Sequence, residues 1–202
     1  MKKSYMMIVG LAGLANAAYG QHTFSFTLIP SASTIDTTGG MATFDLDVIG
    51  NASVGTHILG GSFSLQSNSD LIVDMSWASA SWDSFPTDGG YAGNGNYNQV
   101  IFEQYISVGI PPFSEPAVGS ELGTVVGTFS VTLAADSMGD IDFSLVPQGL
   151  YSLYVVDAVS GQGYFDSEGE LILNGASVSV VPAPSVIGLF SLSGLALSRR
   201  RR

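Results

Sequence analysis

From Thr23 to Val181 the dominant period of the hydrophobic pattern is two. Phe24, Phe26 and Leu28 alternate with Thr and Ser, Phe44, Leu46 and Val48 with Thr43, Asp45 and Asp47, and Phe63 and Leu65 with Ser62, Ser64 and Gln66. Further along, Val125, Phe129, Val131 and Leu133 stand against Thr124, Thr128, Ser130 and Thr132, and Ile141, Phe143 and Leu145 against Asp140, Asp142 and Ser144. Each run reads as a strand with one buried and one wet face. Shorter candidates are Leu71 to Trp77, Gln99 to Ser107, Tyr151 to Asp157, Glu170 to Leu173 and Ala176 to Val181; in the first, Trp77 shares parity with Leu71, Val73 and Met75 and is assigned to the core. With Gly-, Asp-, Ser- and Pro-containing turns between them, about ten strands predict a single all-β domain, an antiparallel jelly-roll-like β-sandwich.

Two segments break the alternation. Residues 1–20 have a basic start (Lys2, Lys3), an apolar run from Met6 to Ala15 and then small residues. That is the form of a signal peptide, cut after Ala17 or Gly20; the apolar run is about half the ~20 residues of a spanning helix. The sandwich is expected over 21–180. Residues 181–202 carry Pro182-Ala-Pro-Ser185, a hydrophobic helix from Val186 to Leu197, and Arg199, Arg200, Arg201 and Arg202. Twelve residues of helix reach only about 18 Å, against a hydrocarbon core of about 30 Å. The segment reads as a tail held at the membrane by its positive-inside flank, either a lasting anchor or a signal that is cut.

This order of Pro motif, short apolar helix and arginine cluster resembles the PEP-CTERM sorting signal of Gram-negative bacteria that make extracellular polymer. The resemblance implies Pro182 to Ser185 as sorting motif, Arg199 to Arg202 as retention cluster, and an exosortase-like membrane transpeptidase as partner, beside the secretion machinery; Ala183 stands where the family has Glu. The expected route is export, transient inner-membrane binding, then the cell surface or extracellular matrix. The strand order resembles the cohesin and carbohydrate-binding-module superfamily. The carrying residues are Met41-Ala-Thr-Phe-Asp-Leu-Asp-Val48, Leu59-Gly-Gly-Ser-Phe-Ser-Leu65 into Leu71-Ile-Val73, Leu122-Gly-Thr-Val-Val-Gly-Thr-Phe-Ser-Val131, and Gly139-Asp-Ile-Asp-Phe143. It implies a fold, not a function.

Charge narrows the functions. All six basic residues lie in the two terminal segments and all 17 acids lie between them, so residues 21–198 carry a formal charge of −17. Without Lys or Arg to neutralise phosphates, nucleic-acid binding is excluded, and acidic polymers are repelled. Neutral glycans, cations and matrix proteins remain as partners. There is no Cys, hence neither disulfide nor thiol nucleophile. His22 and His57 match no metal-ligand spacing and are expected in exposed loops.

The longest irregular stretch is expected from Ala78 to Asn98. Its Trp82, Tyr91 and Tyr97, with Asn and Asp neighbours, form a candidate glycan site, since ring faces take sugar CH groups and polar side chains take hydroxyls. The competing expectation is that these aromatics fold back over the sandwich edge. Oxygen clusters at Asp83, Asp88 and Asn94, at Asp136, Asp140 and Asp142, and at Asp166, Glu168 and Glu170 match no calcium-loop motif and leave room only for weak Ca2+ condensation. No metal, cofactor or catalytic residue is nominated, because no acid pair or nucleophile motif converges. The sequence thus predicts an exported, non-catalytic, structural or adhesive protein of the envelope or matrix, with a glycan-binding module as alternative and a secreted glycoside hydrolase as a third reading.

One consequence follows from charge alone. If repulsion among the acids limits stability, the melting temperature rises as salt is added at modest ionic strength, because screening weakens that repulsion. Calorimetry across a salt series checks this, and a flat response would show the carboxylates already compensated.

Overall fold

The computed structural model describes residues 22–67, 69–106 and 115–181. The signal peptide, the Pro motif, the hydrophobic helix and the arginine cluster fall outside the described residues. In chain order the strands are β1 (His22–Pro30), β2 (Thr34–Asp36), β3 (Ala42–Ala52), β4 (His57–Ser67), β5 (Ile72–Ser79), β6 (Thr87–Asp88), β7 (Tyr91–Gly93), β8 (Asn96–Glu103), β9 (Val125–Leu133), β10 (Gly139–Pro147), β11 (Leu153–Val156), β12 (Gly163–Phe165), β13 (Gly169–Asn174) and β14 (Ala176–Val181). One 3-10 turn, Asp166–Glu168, is the helical element among the described residues.

The chain is an all-β sandwich of two sheets. Sheet A runs β13-β1-β3-β9-β5, and sheet B gathers the other nine strands around β4. The alternation put the expected side chains between them: Phe24, Phe26, Leu46, Val48, Phe129 and Val131 of sheet A meet Phe63, Leu65, Ile141, Leu153 and Val178 of sheet B, all essentially without exposure. Phe63 is the hub. Its ring meets Phe26 at 5.1 Å, Trp77 at 5.7 Å, Phe102 at 5.8 Å and Phe129 at 6.4 Å, so one aromatic cluster ties both sheets.

The fold departs from the expectation in four places. Strands β2, β6, β7 and β12 have only two or three residues, too few to show a period, which is why about ten strands were expected and fourteen are found among the described residues. Two pairs, β1 with β13 and β14 with β2, are parallel instead of antiparallel; each joins strands from opposite ends of the domain, a pairing that local alternation cannot encode. In β5 the register slips between Ile72 and Asp74, so Ile72 and Met75 point inward while Val73 is 45% exposed; Trp77 still packs half-buried on the core and donates from Nε1 to Ser79 Oγ at 2.8 Å.

The fourth departure is β4. Ser62 and Ser64, expected on a wet face, are buried. The segment 147–152 crosses over them: Ser62 Oγ donates to the Gln148 carbonyl at 2.6 Å, and Gln148 Nε2 donates to Ser64 Oγ at 3.1 Å. β4 is also paired along both edges, with β8 on one side and β11 then β10 on the other. Neighbours approach so closely that a Cβ on Gly60 would lie 2.8 Å from the Phe102 carbonyl, and one on Gly61 would strike the Ser152 carbonyl.

Gly61→Ala is therefore expected to cost about 2–3 kcal/mol or to prevent folding, since backbone oxygens cannot swing aside as a side chain would. Gly40→Ala, where a Cβ meets nothing within 4 Å, is expected to be near neutral. Denaturant midpoints of the two variants check the contrast.

Candidate functional site

The segment from Ala78 to Asn98 is ordered, not irregular. β6 and β7 pair with the outer edge of β8, and its aromatics serve the sandwich. Trp82 is 5% exposed and meets Phe102 edge-on at 6.0 Å. Tyr97 is buried and meets Phe129 edge-on at 5.1 Å. Tyr91 is half-buried; its hydroxyl donates to the Ile72 carbonyl at 2.8 Å and accepts from the Gly95 amide at 3.1 Å. Trp82 and Tyr97 are too buried to offer an open face to a sugar. The competing expectation, aromatics folded back over the sandwich edge, describes their placement, because an apolar ring gains more from burial than from display.

Tyr97 completes that edge. Its hydroxyl donates to Asp88 Oδ1 at 2.6 Å, and Asp88 is held in turn by the Gly90 amide at 2.8 Å. Burial first, then the hydrogen bond and charge of Asp88, push the phenol far above its ordinary value; the Trp77 backbone amide offsets a little of this. Tyr91 and Tyr97 thus bring β7 and β8 against the free side of β5 through its backbone.

The acidic clusters do not assemble either. Asp83 Oδ1 accepts from the amides of Phe85 at 3.1 Å and Glu103 at 3.0 Å, Asp136 from the Gly39 amide at 2.8 Å, Asp140 from Ser179 Oγ at 2.6 Å, and Asp166 from the Ser152 amide at 3.1 Å. Among the described residues no three Asp, Glu or His side chains converge on a metal position. His22 and His57 begin β1 and β4, each half-buried, instead of lying in exposed loops; His22 meets the Tyr164 ring at 5.6 Å and His57 Nδ1 bonds Thr56 Oγ at 2.9 Å.

The surface with the features of a site is the outer face of sheet B, along the seam between β4 and β8. At one end Ser62, Ile101, Glu103, Leu150 and Tyr151 line a hollow of about 210 Å³, with Leu150 97% exposed at its rim. Beside it Tyr151 meets Tyr154 at 5.7 Å and Phe165 at 5.3 Å, and Tyr154 stacks on Phe165 at 4.2 Å, a pair set directly opposite by the β11–β12 register. The Tyr151 phenol is pushed up by burial, then by the Glu103 carboxylate and Tyr154. Further along the seam Ser64, Gln66, Asn96, Asn98, Gln99 and Gln148 line an open trough of about 500 Å³. Between Phe63 and Leu65 the register slips, so that Asn98 and Gln99 of β8 together face Ser64 alone. This bulge widens the seam.

The sequence reading missed these residues. Tyr151, Tyr154 and Gln99 looked like ordinary strand positions, and Gln66 like a wet one; only the crossing of 147–152 over β4 brings them into one surface. The usable signal was aromatic density, with Tyr151, Tyr154, Tyr164 and Phe165 falling within fifteen residues.

No protein-family model matches the chain, and no curated protein matches it at a significant level. Solved structures do. A type I cohesin from Pseudobacteroides cellulosolvens superposes with a TM-score of 0.54 at 12% sequence identity, over 82% of this chain and 96% of that one. A cohesin module from a Clostridium perfringens family 33 glycoside hydrolase gives 0.47 at 10% identity, over 79% and 97%. A scaffoldin cohesin from Acetivibrio cellulolyticus, solved with a dockerin, gives 0.47 at 12% identity, over 78% and 99%. The fold is cohesin-like.

Tyr97→Phe is expected to cost about 1–2 kcal/mol, because it removes the bond to Asp88 while leaving the ring in place. The parent has a pH signature too. A folded-state phenol raised above its ordinary value of 10 contributes stability that is intact below about pH 10 and is lost as pH climbs beyond it. Alkaline unfolding measured by near-ultraviolet absorbance is expected to flatten in the Phe variant.

Proposed function

We propose that this is an exported, surface-sorted, non-catalytic β-sandwich module, a structural or adhesive component of the bacterial envelope or extracellular matrix that makes contacts through the outer face of sheet B. The observation that carries the proposal is the partition of charge. Every Lys and Arg lies in the two terminal segments and none within 21–198, as expected when basic residues serve only to address the chain to a membrane. Pro182, Ala183, Pro184 and Ser185 then form the sorting motif, Arg199 to Arg202 the retention cluster, and an exosortase-like transpeptidase the partner that cuts near Pro182 to Ser185. The position of the motif supports this: β14 ends at Val181, so a cut at Pro182 to Ser185 spares every described strand.

The non-catalytic reading is supported by what the acids do. Asp83, Asp88, Asp136, Asp157 and Asp166 each accept backbone amides, which gives these five carboxylates a structural task, and among the described residues no pair of acids is brought together over a shared cleft. The cohesin-like fold agrees with a binding scaffold, as analogy only.

The test is the intact mass of the protein from its native host, measured separately in membrane and released fractions. A released form that has lost the signal peptide and everything beyond about Pro184 is the expected result. A released form that retains residues 185–202 would refute sorting by cleavage.

A further inference from the structure

Resting on the reading of the outer face of sheet B as a contact surface, we infer that the β4–β8 seam is a binding groove for a chain of uncharged polysaccharide. The first reason is its chemistry. The trough wall is built from the side-chain amides of Gln66, Gln99, Gln148, Asn96 and Asn98 with the Ser64 hydroxyl, and its lining includes no carboxylate in a domain that carries 17. Each primary amide supplies two N–H donors and a carbonyl acceptor, and a hydroxyl supplies both roles. A sugar hydroxyl is likewise both donor and acceptor, so such a wall matches hydroxyls in any orientation, whereas a cation or an anion would call for charge of one sign.

The second reason is what borders the trough. Glu103 lines the hollow at one end, and at the other Asp142 lines a further depression shared with Gln66. With acids at both ends and no Lys or Arg anywhere in residues 21–198, a polyanion is repelled and an uncharged chain is not. The third is shape. Hollow and trough lie in line along β4, Ser62 in the one and Ser64 in the other, over about 17 Å from Gly61 to Gln66 given the rise of a strand; each opens to solvent, and Gly149, which has no side chain to add, stands between them over Ser62, so that a chain would pass over it from one to the other. At the Glu103 end the lining changes to Ile101, Leu150 and Tyr151, apolar atoms that suit the CH faces of a sugar ring.

The groove is also pre-built. Ser62 and Ser64 hold Gln148 and its segment across β4, and the bulge at Asn98 and Gln99 sets the far wall, with Asn98 Nδ2 donating to the Gly89 carbonyl at 3.1 Å. That part of the wall is held in place before binding, which lowers the ordering cost. A protein partner would call for a different surface, with an apolar core ringed by polar residues; here the amide trough occupies the centre and the apolar hollow lies at one end.

The experiment is affinity electrophoresis of the host-purified protein in gels containing hydroxyethylcellulose, xylan, galactomannan or dextran, at low and at high salt. Retardation by at least one of these is expected, unchanged by salt because no charge is involved. The double variant Gln66→Ala/Gln99→Ala is expected to weaken it at least about tenfold, the loss of one or two hydrogen bonds, while Ser76→Ala on the outer face of sheet A leaves it unchanged. Should the double variant melt lower than the parent, the single Gln66→Ala, at an exposed position, is read in its place. Retardation in none of the gels, retardation that the variants do not alter, or capture of a matrix protein through the same glutamines without any sugar binding would each overturn the inference. None of these outcomes bears on tail cleavage, and the intact mass does not bear on sugar binding, so the two readings fail separately.

Discussion

The structure depends on the complete enclosure of β4. Interior strands of a sandwich usually bury one face and leave the other to water, but from Ile58 to Leu65 every residue of β4 is buried, and neighbouring strands run along both edges. Enclosure on four sides explains the composition of the strand. Where the Phe102 and Ser152 carbonyls close in, only hydrogen fits at Gly60 and Gly61; where the core needs filling, Phe63 and Leu65 fill it; where 147–152 crosses outside, Ser62 and Ser64 supply the hydroxyls that hold it. A buried hydroxyl without a partner would cost about 1–3 kcal/mol, so the crossing segment and the serines require one another. The same crossing makes the seam a groove, which ties the outer surface to the interior constraint.

A second constraint is charge without counter-charge. With no Lys or Arg between residues 21 and 198, the carboxylates cannot form the usual ion pairs. Some stand on exposed strand faces, as Asp45, Asp140 and Asp142 do, and others draw on nearby backbone amides. Asp36 accepts from the Thr38 amide, Asp74 from Met75, Asp88 from Gly90, and Asp157 from both Val159 and Ser160. Charge-assisted bonds of this kind are stronger than neutral ones. At Asp157 their effect is visible directly: the Ser160 amide and hydroxyl, with the Val159 amide, hold its carboxyl below the ordinary carboxylate value. Amides and hydroxyls do here part of what lysines and arginines do elsewhere, while the acids remain dispersed over turns and strand faces.

How much of this was legible follows from how local each signal is. Phe44, Leu46 and Val48, like Ile141, Phe143 and Leu145, carry their burial in their own alternation, and the sandwich with its two inner faces could be read from such runs. The parallel pairs of β1 with β13 and β2 with β14 depend on contacts across nearly the whole domain, and nothing near Phe24 or Val180 announces them. Val73 was misplaced because one slipped register inverts parity, a fault to which period two is especially exposed. Trp82, Tyr91 and Tyr97 were legible as chemistry but not as geometry. A tyrosine that displays a ring and one that lends its hydroxyl to a strand edge have the same letter and the same Gly-rich neighbours. The amide trough was not legible at all, since Gln66, Gln99 and Gln148 meet only after three separate elements have folded together.

Where the acids stand and where the groove runs are linked by access to donors. Carboxylates are found in turns, where amides are free, and on strand faces that water reaches, as at Asp45, Asp140 and Asp142. The middle of β4 offers neither: its amides are already spent on the ladder, the crossing segment covers its outer face, and a carboxylate there would lack donors. Neutral amides and hydroxyls are the polar groups such a position tolerates, because each can satisfy itself with a single neighbour, as Gln148 does with Ser64. The trough continues in neutral side-chain amides the polar face that Ser62 and Ser64 begin beneath the crossing segment, and hydroxyl chemistry is the natural complement of such a surface.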